Sequence, residues 1–330
     1  AVLNGLPLQI GYFYDPHIKK KLQREIIEMQ PDHVFVQLIR TAEYVRNMPF
    51  RKSIDYMDTF SYGARQRAAN SRFLKRWIFN WEGRLLRRYE REIYRDFDGH
   101  FIISDQDRQR LPIPYTGRIK VLTNGVDTSF FVPDPDIQRQ GVLFVGNLGY
   151  APNVEAARFL ALKVMPLVWK KYPDVKLTLA GARPVAAVSR LASARVIVTG
   201  WLEDIRAVYN SCGVFVAPMM SGMGVQNKIL EAMSMKCPCI TTSIVNNAIG
   251  ARDGYEIAVV NTELEIAGAI MNFLDNEVQA AEFASRAREF VVKNFSWEAK
   301  NKTLDKFFMD NGGSHPEEVF NQVEGKPDYA

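Results

Sequence analysis

Lys228 and Glu231 stand three residues apart in a stretch that reads as a helix from Asn227 onward. They follow the loop Pro218-Met219-Met220-Ser221-Gly222-Met223-Gly224-Val225-Gln226. That spacing puts both side chains on one helix face, near its start. An ammonium there reaches a diphosphate, and a carboxylate one turn further accepts hydrogen bonds from the hydroxyls of a ribose. The helix N-terminus adds unpaired N–H groups and the positive end of a dipole. A bare Lys-x-x-Glu also serves as a plain surface ion pair, which does no chemistry. A second place is Phe144-Val145-Gly146-Asn147-Leu148-Gly149-Tyr150-Ala151-Pro152-Asn153, where a strand ends in a turn and a helix opens at Asn153, a good N-cap residue. Such turns hold phosphate with backbone N–H groups. Two glycines three apart also occur in turns that bind nothing.

Asp58, with Tyr56 and Ser61, follows a strand of the first half. A carboxylate there can orient a hydroxyl, or take its proton at hydrogen-bond distance; it can equally cap a helix. Arg65 and Arg67 suit charge-assisted bonds to a departing diphosphate, or are solvated helix charges. Asp96-Phe97-Asp98 spells Asp-x-Asp but has no further oxygen ligands around it. It is expected to be a loop, and no metal is expected. Cys212, Cys237 and Cys239 lack the partners of a zinc site and are too few for a disulfide framework, so they read as small buried residues. The stretch from Arg72 to Arg88 is basic and aromatic at helical spacing. It suits either an anionic membrane surface or a core-facing helix with solvated arginines. No nucleic-acid module accompanies the charge, so no nucleic acid is expected as partner.

The chain of 330 residues is long enough for two domains, and 47% of it is apolar. A net charge of +5 suits an anionic ligand without establishing one. No run of about 18 apolar residues and no signal peptide is present, which points to the cytoplasm, with contact at the inner face of the membrane. Strands are expected at residues 9–13, 33–38, 53–58, 99–104 and 119–123. Helices are expected at 19–29, with Leu22, Ile26 and Met29 on one face, and as one long run over 64–95. Two prolines mark residues 132–136 as a linker. Beyond it, strands at 141–146, 175–181, 195–200, 214–218 and 238–242 alternate with helices, the first over 153–172. That alternation gives an α/β fold with a parallel sheet covered on both faces. Ligands then bind at the carboxyl ends of the strands. The domains are expected at 1–135 and 136–310, with a polar tail at 311–330.

Gly224-Val225-Gln226-Asn227-Lys228-Ile229-Leu230-Glu231-Ala232-Met233-Ser234-Met235 resembles the donor motif of family 4 retaining glycosyltransferases, closest to those associated with bacterial exopolysaccharide and protein-sorting gene clusters. Other segments agree in order. Leu122-Thr123-Asn124-Gly125-Val126-Asp127 is similar to the family's stretch near the domain junction, and residues 144–156 to its first donor-domain turn and helix. Gly200-Trp201-Leu202-Glu203-Asp204-Ile205 resembles its base-binding loop, and Phe295-Ser296-Trp297 its C-terminal helix signature. The likeness covers about residues 3–308. It implies two Rossmann-like domains of the GT-B type, the first lacking a strand and a glycine-rich acceptor loop that would occupy roughly 80 residues before Ala1.

The resemblance also implies an activity: a glycosyl group moves, with retention, from a nucleoside-diphosphate sugar to a hydroxyl of a glycan or lipid-linked acceptor. Neither metal nor further cofactor takes part. Glu231 matches the second of a Glu pair eight apart and would bind the ribose. The first member falls on Met223, so the backbone amides of Met223 and Gly224, beside Gly222, would serve the transferred sugar. Lys228 matches a diphosphate position, next to Asn227. Gly146 and Gly149 flank Asn147, which stands where the family often has a basic residue; phosphate charge is left to Lys228, Arg183 or the first domain. Trp201 and Asp204 would line the base site, and Asp58 the acceptor side.

Two other classes compete. A Rossmann oxidoreductase requires Gly-x-Gly-x-x-Gly, and no such string occurs. A non-catalytic sugar-binding protein on the same fold is compatible with Met223.

Overall fold

The structure is a computed structural model that describes residues 5–69, 71–114, 116–220 and 224–311. The chain forms two compact units. The first runs to Thr123 and takes in residues 224–225 and Asn247–Ile249; the second runs from Asn124 and holds the rest.

In the first unit four parallel strands lie in sequence order: β1 (Val34–Gln37), β2 (Lys52–Asp55), β3 (Gly99–Ile102) and β4 (Ile119–Val121). Val36 faces Ile54 across the ladder, Ile54 faces His100, and His100 faces Ile119. The helices are α1 (Leu8–Phe13), α2 (Pro16–Met29), α3 (Phe60–Ala69), α4 (Phe73–Asp96) and α5 (Asp105–Arg110). Ile39, Ile54, Tyr56, Leu86, Tyr89 and Ile93 lie in its core.

Three expectations change here. Residues 9–13 are helical, not a strand. Of α1 only Ile10 is buried, and its first turn is anchored from outside: the Glu82 carboxylate of α4 accepts from Leu8 N at 2.8 Å and Gln9 N at 3.0 Å. Carboxylates at a helix N-terminus satisfy its orphan donors, and this one comes from far along the chain. The next helix starts at Pro16, with Asp15 as N-cap accepting from His17 N and Ile18 N; Leu22 and Ile26 are half-buried, whereas Met29 is exposed. The long run over 64–95 is two helices, α3 and α4. They press together at Gly83, where a Cβ would lie 3.5 Å from the Ala64 Cβ.

The second unit has six parallel strands: β5 (Gln140–Val145), β6 (Leu177–Ala180), β7 (Val196–Gly200), β8 (Cys212–Ala217), β9 (Cys239–Thr241) and β10 (Ala258–Val259). Their order across the sheet is β10-β9-β8-β5-β6-β7. The strand order therefore reverses between β5 and β8, as in nucleotide-binding doubly wound sheets. The helices are α6 (Ala151–Phe159), α7 (Met165–Val168), α8 (Ala186–Ser189), α9 (Arg206–Asn210), α10 (Asn227–Ser234), α11 (Ser243–Ile249), α12 (Glu263–Asp275), α13 (Glu277–Phe295) and α14 (Trp297–Asn311). Buried runs such as Val142-Leu143-Phe144-Val145 and Val214-Phe215-Val216-Ala217 form the sheet's interior, as parallel strands covered on both faces require.

The helix expected over 153–172 starts earlier, at Ala151, and Tyr150 takes the N-cap position. It widens into a π turn over Leu160–Val164 just before Pro166, which has no N–H to continue an α ladder. The prolines of 132–136 do not separate the units; the division falls at Thr123. Residues 124–135 are bound into the second unit. Val126 N donates to Phe295 O, Asp134 N donates to Asn210 Oδ1, and the Arg288 guanidinium donates to Phe131 O and Thr128 O. Cys212, Cys237 and Cys239 are buried and unbridged. Among the described residues no helix is long and apolar enough to cross a membrane.

Candidate functional site

The carboxyl edge of the second sheet collects the turns after β5, β6, β7 and β8. Two of them interlock. Gly146 N donates to Ala180 O, and Leu148 N to Ala182 O. Gly181, at φ +140°, lies so close that a Cβ would fall 1.8 Å from Gly146 O. Gly149 packs on Arg183, itself at φ +56°; a Cβ on Gly149 would be 3.1 Å from Arg183 O. The Asn147 side chain closes its own turn by accepting from Gly149 N at 3.0 Å. These glycines are needed because backbone approaches backbone with no room for a Cβ.

Lys228, in the first turn of α10, crosses the reversal point between β8 and β5. Its Nζ donates to Asn153 Oδ1 at 2.5 Å, touches Met219 Sδ at 3.6 Å and lies 4.8 Å from the centre of the Phe144 ring. Asn153 in turn donates from Nδ2 to Asn147 O at 3.0 Å. Asn153, expected to cap α6, is instead inside its first turn and joins Lys228 to the β5 turn. Glu231 lies one turn further along α10. Its Oε2 accepts from the Tyr209 hydroxyl at 2.8 Å, and the same hydroxyl is 3.2 Å from Lys228 O. Asn147, Lys228 and Glu231 thus meet in one hydrogen-bonded network with Asn153 and Tyr209, and Gly146 packs against the Asn153 side chain.

Burial shapes the charges. It pushes the Lys228 ammonium down to about 8, with Glu231 pulling the other way. It pushes the Glu231 carboxyl up, against the Tyr209 hydrogen bond and the Lys228 charge. Among the described residues the near partners of this half-buried cation are an amide oxygen, a thioether sulfur and a ring face, none of them a carboxylate; an anion arriving at this edge would supply the opposite charge.

The remaining predicted residues are placed as follows. Asn227 opens α10 and accepts from Asn124 Nδ2 at 3.3 Å. Gly224 sits at φ +76°. Gly222 and Met223 lie outside the described residues. Arg183 is exposed at the carboxyl end of β6. Trp201 follows Gly200 at the end of β7 and is 72% exposed; it stands on the same sheet edge, apart from the Lys228 network. Asp204 is held in a two-pronged pair with Arg206.

In the first unit Asp58 lies between β2 and α3, on a pocket of about 430 Å³ lined also by Gln9, Arg40, Tyr62 and Arg67. Desolvation raises its carboxyl, and the Asp107 carboxylate adds to the shift. It does not cap α3 at Ser61, whose N–H goes to the buried Glu90 Oε1 at 3.0 Å. Tyr56 and Ser61 are buried and belong to the core, not to this pocket. Arg67 lines the pocket beneath the Phe79 ring; Arg65 runs along Gly83 instead. Asp96 ends α4 and pairs with Arg46, while Asp98 Oδ2 accepts from Lys52 N at 2.9 Å. Asp-x-Asp is therefore spent on structure.

Residues 139–276 match the group 1 glycosyl transferases. The chain is 27% identical over 322 residues to an uncharacterized 44.6 kDa protein in the cps region of Klebsiella pneumoniae, covering 94% of this chain and 80% of that one. Among solved structures, Anabaena Alr3699/HepE in complex with UDP superposes with a TM-score of 0.68 at 14% identity, over 88% of this chain and 82% of that one. Sucrose-phosphate synthase of Thermosynechococcus elongatus superposes with a TM-score of 0.66 at 15% identity, over 89% and 77%. At such identities the likeness establishes the fold: two Rossmann-like domains of the GT-B type.

Two members of the network escaped the sequence. Tyr209 is buried in the short α9 and reaches Glu231 across 22 positions, with no local pattern to announce it. Asn153 was visible as a helix-start residue, but its bond to Lys228 spans 75 positions.

Proposed function

We propose that this protein is a glycosyltransferase that takes its sugar from a nucleoside diphosphate, with retention and without a metal. The observation that carries the reading is the Asn147–Asn153–Lys228 chain, closed by Glu231 and Tyr209, at the strand-order reversal of a doubly wound sheet. Lys228 meets the diphosphate, and Glu231 accepts from the ribose hydroxyls. As the bond between the anomeric carbon and the phosphate oxygen breaks, negative charge gathers on the diphosphate. Lys228 and the N–H groups at the start of α10 stabilise it there, which is charge stabilisation aimed at the leaving group. Asp58 and its pocket serve the acceptor hydroxyl. The match to group 1 glycosyl transferases and the GT-B neighbours support glycosyl transfer, and the neighbour solved with UDP makes uridine diphosphate the first donor to test.

The test is release of nucleoside diphosphate from UDP-, GDP-, ADP- and dTDP-sugars in the presence of EDTA. One donor class turns over, EDTA leaves the rate unchanged, and Lys228→Met slows it by about 10- to 100-fold, the worth of a charge-assisted hydrogen bond. Turnover that requires added Mn²⁺ contradicts the metal-free mechanism. Binding of a donor without any release would favour the second reading, a non-catalytic binder, for which Met223 in place of the first carboxylate is the supporting observation.

A further inference from the structure

The first two turns of α4 stand clear of the fold. Every residue from Arg72 to Ile78 is exposed. Four of the seven are large and apolar: Phe73 is 91% exposed, Leu74 72% and Trp77 67%, with Ile78 beside them. The others are Arg72, Lys75 and Arg76. Single exposed apolar side chains need no explanation, but a contiguous cluster on one projecting helix end does.

Charge on the same helix is sorted. Every lysine and arginine of α4, namely Lys75, Arg76, Arg84, Arg87, Arg88, Arg91 and Arg95, is exposed. Its acids are not: Glu82 and Glu90 are buried, and Glu92 and Asp96 are half-buried in pairs with Arg88 and Arg46. At helical spacing the exposed positions 73, 77, 80, 84, 88, 91 and 95 form one stripe. It begins with two aromatic rings, passes Asn80 and continues with four arginines.

We propose that the exposed start of α4, with the arginine stripe behind it, docks the protein on an anionic lipid bilayer. Phe73, Leu74, Trp77 and Ile78 enter the interface, and Lys75, Arg76 and the arginines behind them lie on headgroup phosphates. The pattern is that of an interfacial helix, with aromatic and aliphatic groups at the headgroup boundary and cations on the phosphates. A partner protein with an acidic groove is less well matched, because the cations continue from Lys75 to Arg95 along the whole helix, far beyond the apolar cluster at its start. The proposal does not depend on the donor site.

Co-sedimentation with vesicles tests it. The full chain should pellet with vesicles of phosphatidylcholine and phosphatidylglycerol at about three to one, and far less with phosphatidylcholine alone. Each exposed cation near such a surface is worth about fivefold in partitioning, so Lys75→Gln, Arg76→Gln and Arg84→Gln together should cost roughly a hundredfold. The double variant Phe73→Ser, Trp77→Ser should also stay in the supernatant while its thermal unfolding is unchanged, since both positions are exposed. Three results would overturn the proposal: wild type left in solution beside anionic vesicles, a double serine variant that binds as wild type does, or lipid-free self-association abolished by the serine variant.

Discussion

Lys228 is held by an amide oxygen where a carboxylate would have quenched its charge. Burial has brought its ammonium down to about 8, so it carries its charge below that pH and loses it above. An anionic donor binds the charged form. Donor affinity should therefore be flat to about pH 7 and fall by up to about tenfold per pH unit above 8. In Lys228→Met it should be weaker at every pH, without that slope; calorimetric titration across pH 6–9.5 reads both. Tyr209→Phe removes the donor that fixes Glu231. It should weaken nucleotide binding several-fold through misplacement alone, although Tyr209 itself touches no ligand in this account. The spacing of Lys228 and Glu231 was readable along one helix. What could not be read was the partner of each, because Asn153 and Tyr209 reach them through tertiary contacts, and local periodicity carries no information about those.

The β5 and β6 turns form a single device. Gly181→Ala places a methyl on Gly146 O and forces a residue with a Cβ into φ +140°. A loss of at least about 3 kcal/mol in the second unit is expected; a variant with unaltered thermal unfolding would show that the turns are not interlocked. In the first unit Glu90, buried behind α3, is pushed up to about 7 by desolvation, against its bonds from Ser61 and Phe60. The folded chain then holds a proton that the unfolded chain releases near 4.5. Stability from this group is complete below that pH and is lost as pH rises through 7, by on the order of 3 kcal/mol. Calorimetry from pH 4 to 8 should show that decline for wild type and a flatter curve for Glu90→Gln. Most strands were legible from short apolar runs between turns. Residues 9–13 were not, because Gln9-Ile10-Gly11-Tyr12-Phe13 alternates like a strand, while the carboxylate that fixes it as a helix belongs to Glu82. The break in the 64–95 run was hidden for a similar reason: basic residues run through both helices, while the packing of α3 on α4 at Gly83 is a tertiary contact.

The chain is two Rossmann-like units, and the second carries the Lys228 network. The parallel sheet and its covering helices followed from alternation alone, whereas the strand order, and with it the reversal between β5 and β8, is a matter of long-range pairing. The prolines at 133 and 135 looked like a boundary because they interrupt regular structure; Arg288 and Asn210 show instead that the segment is fastened to the second unit. The donor site is tested most directly by isothermal titration of UDP, GDP, ADP and dTDP into the wild-type chain and into Glu231→Ala. One nucleotide should bind the wild type, and the variant should bind it about 10- to 100-fold more weakly. Equal affinity in the two proteins, or no binding by any of the four, would contradict the donor-site assignment.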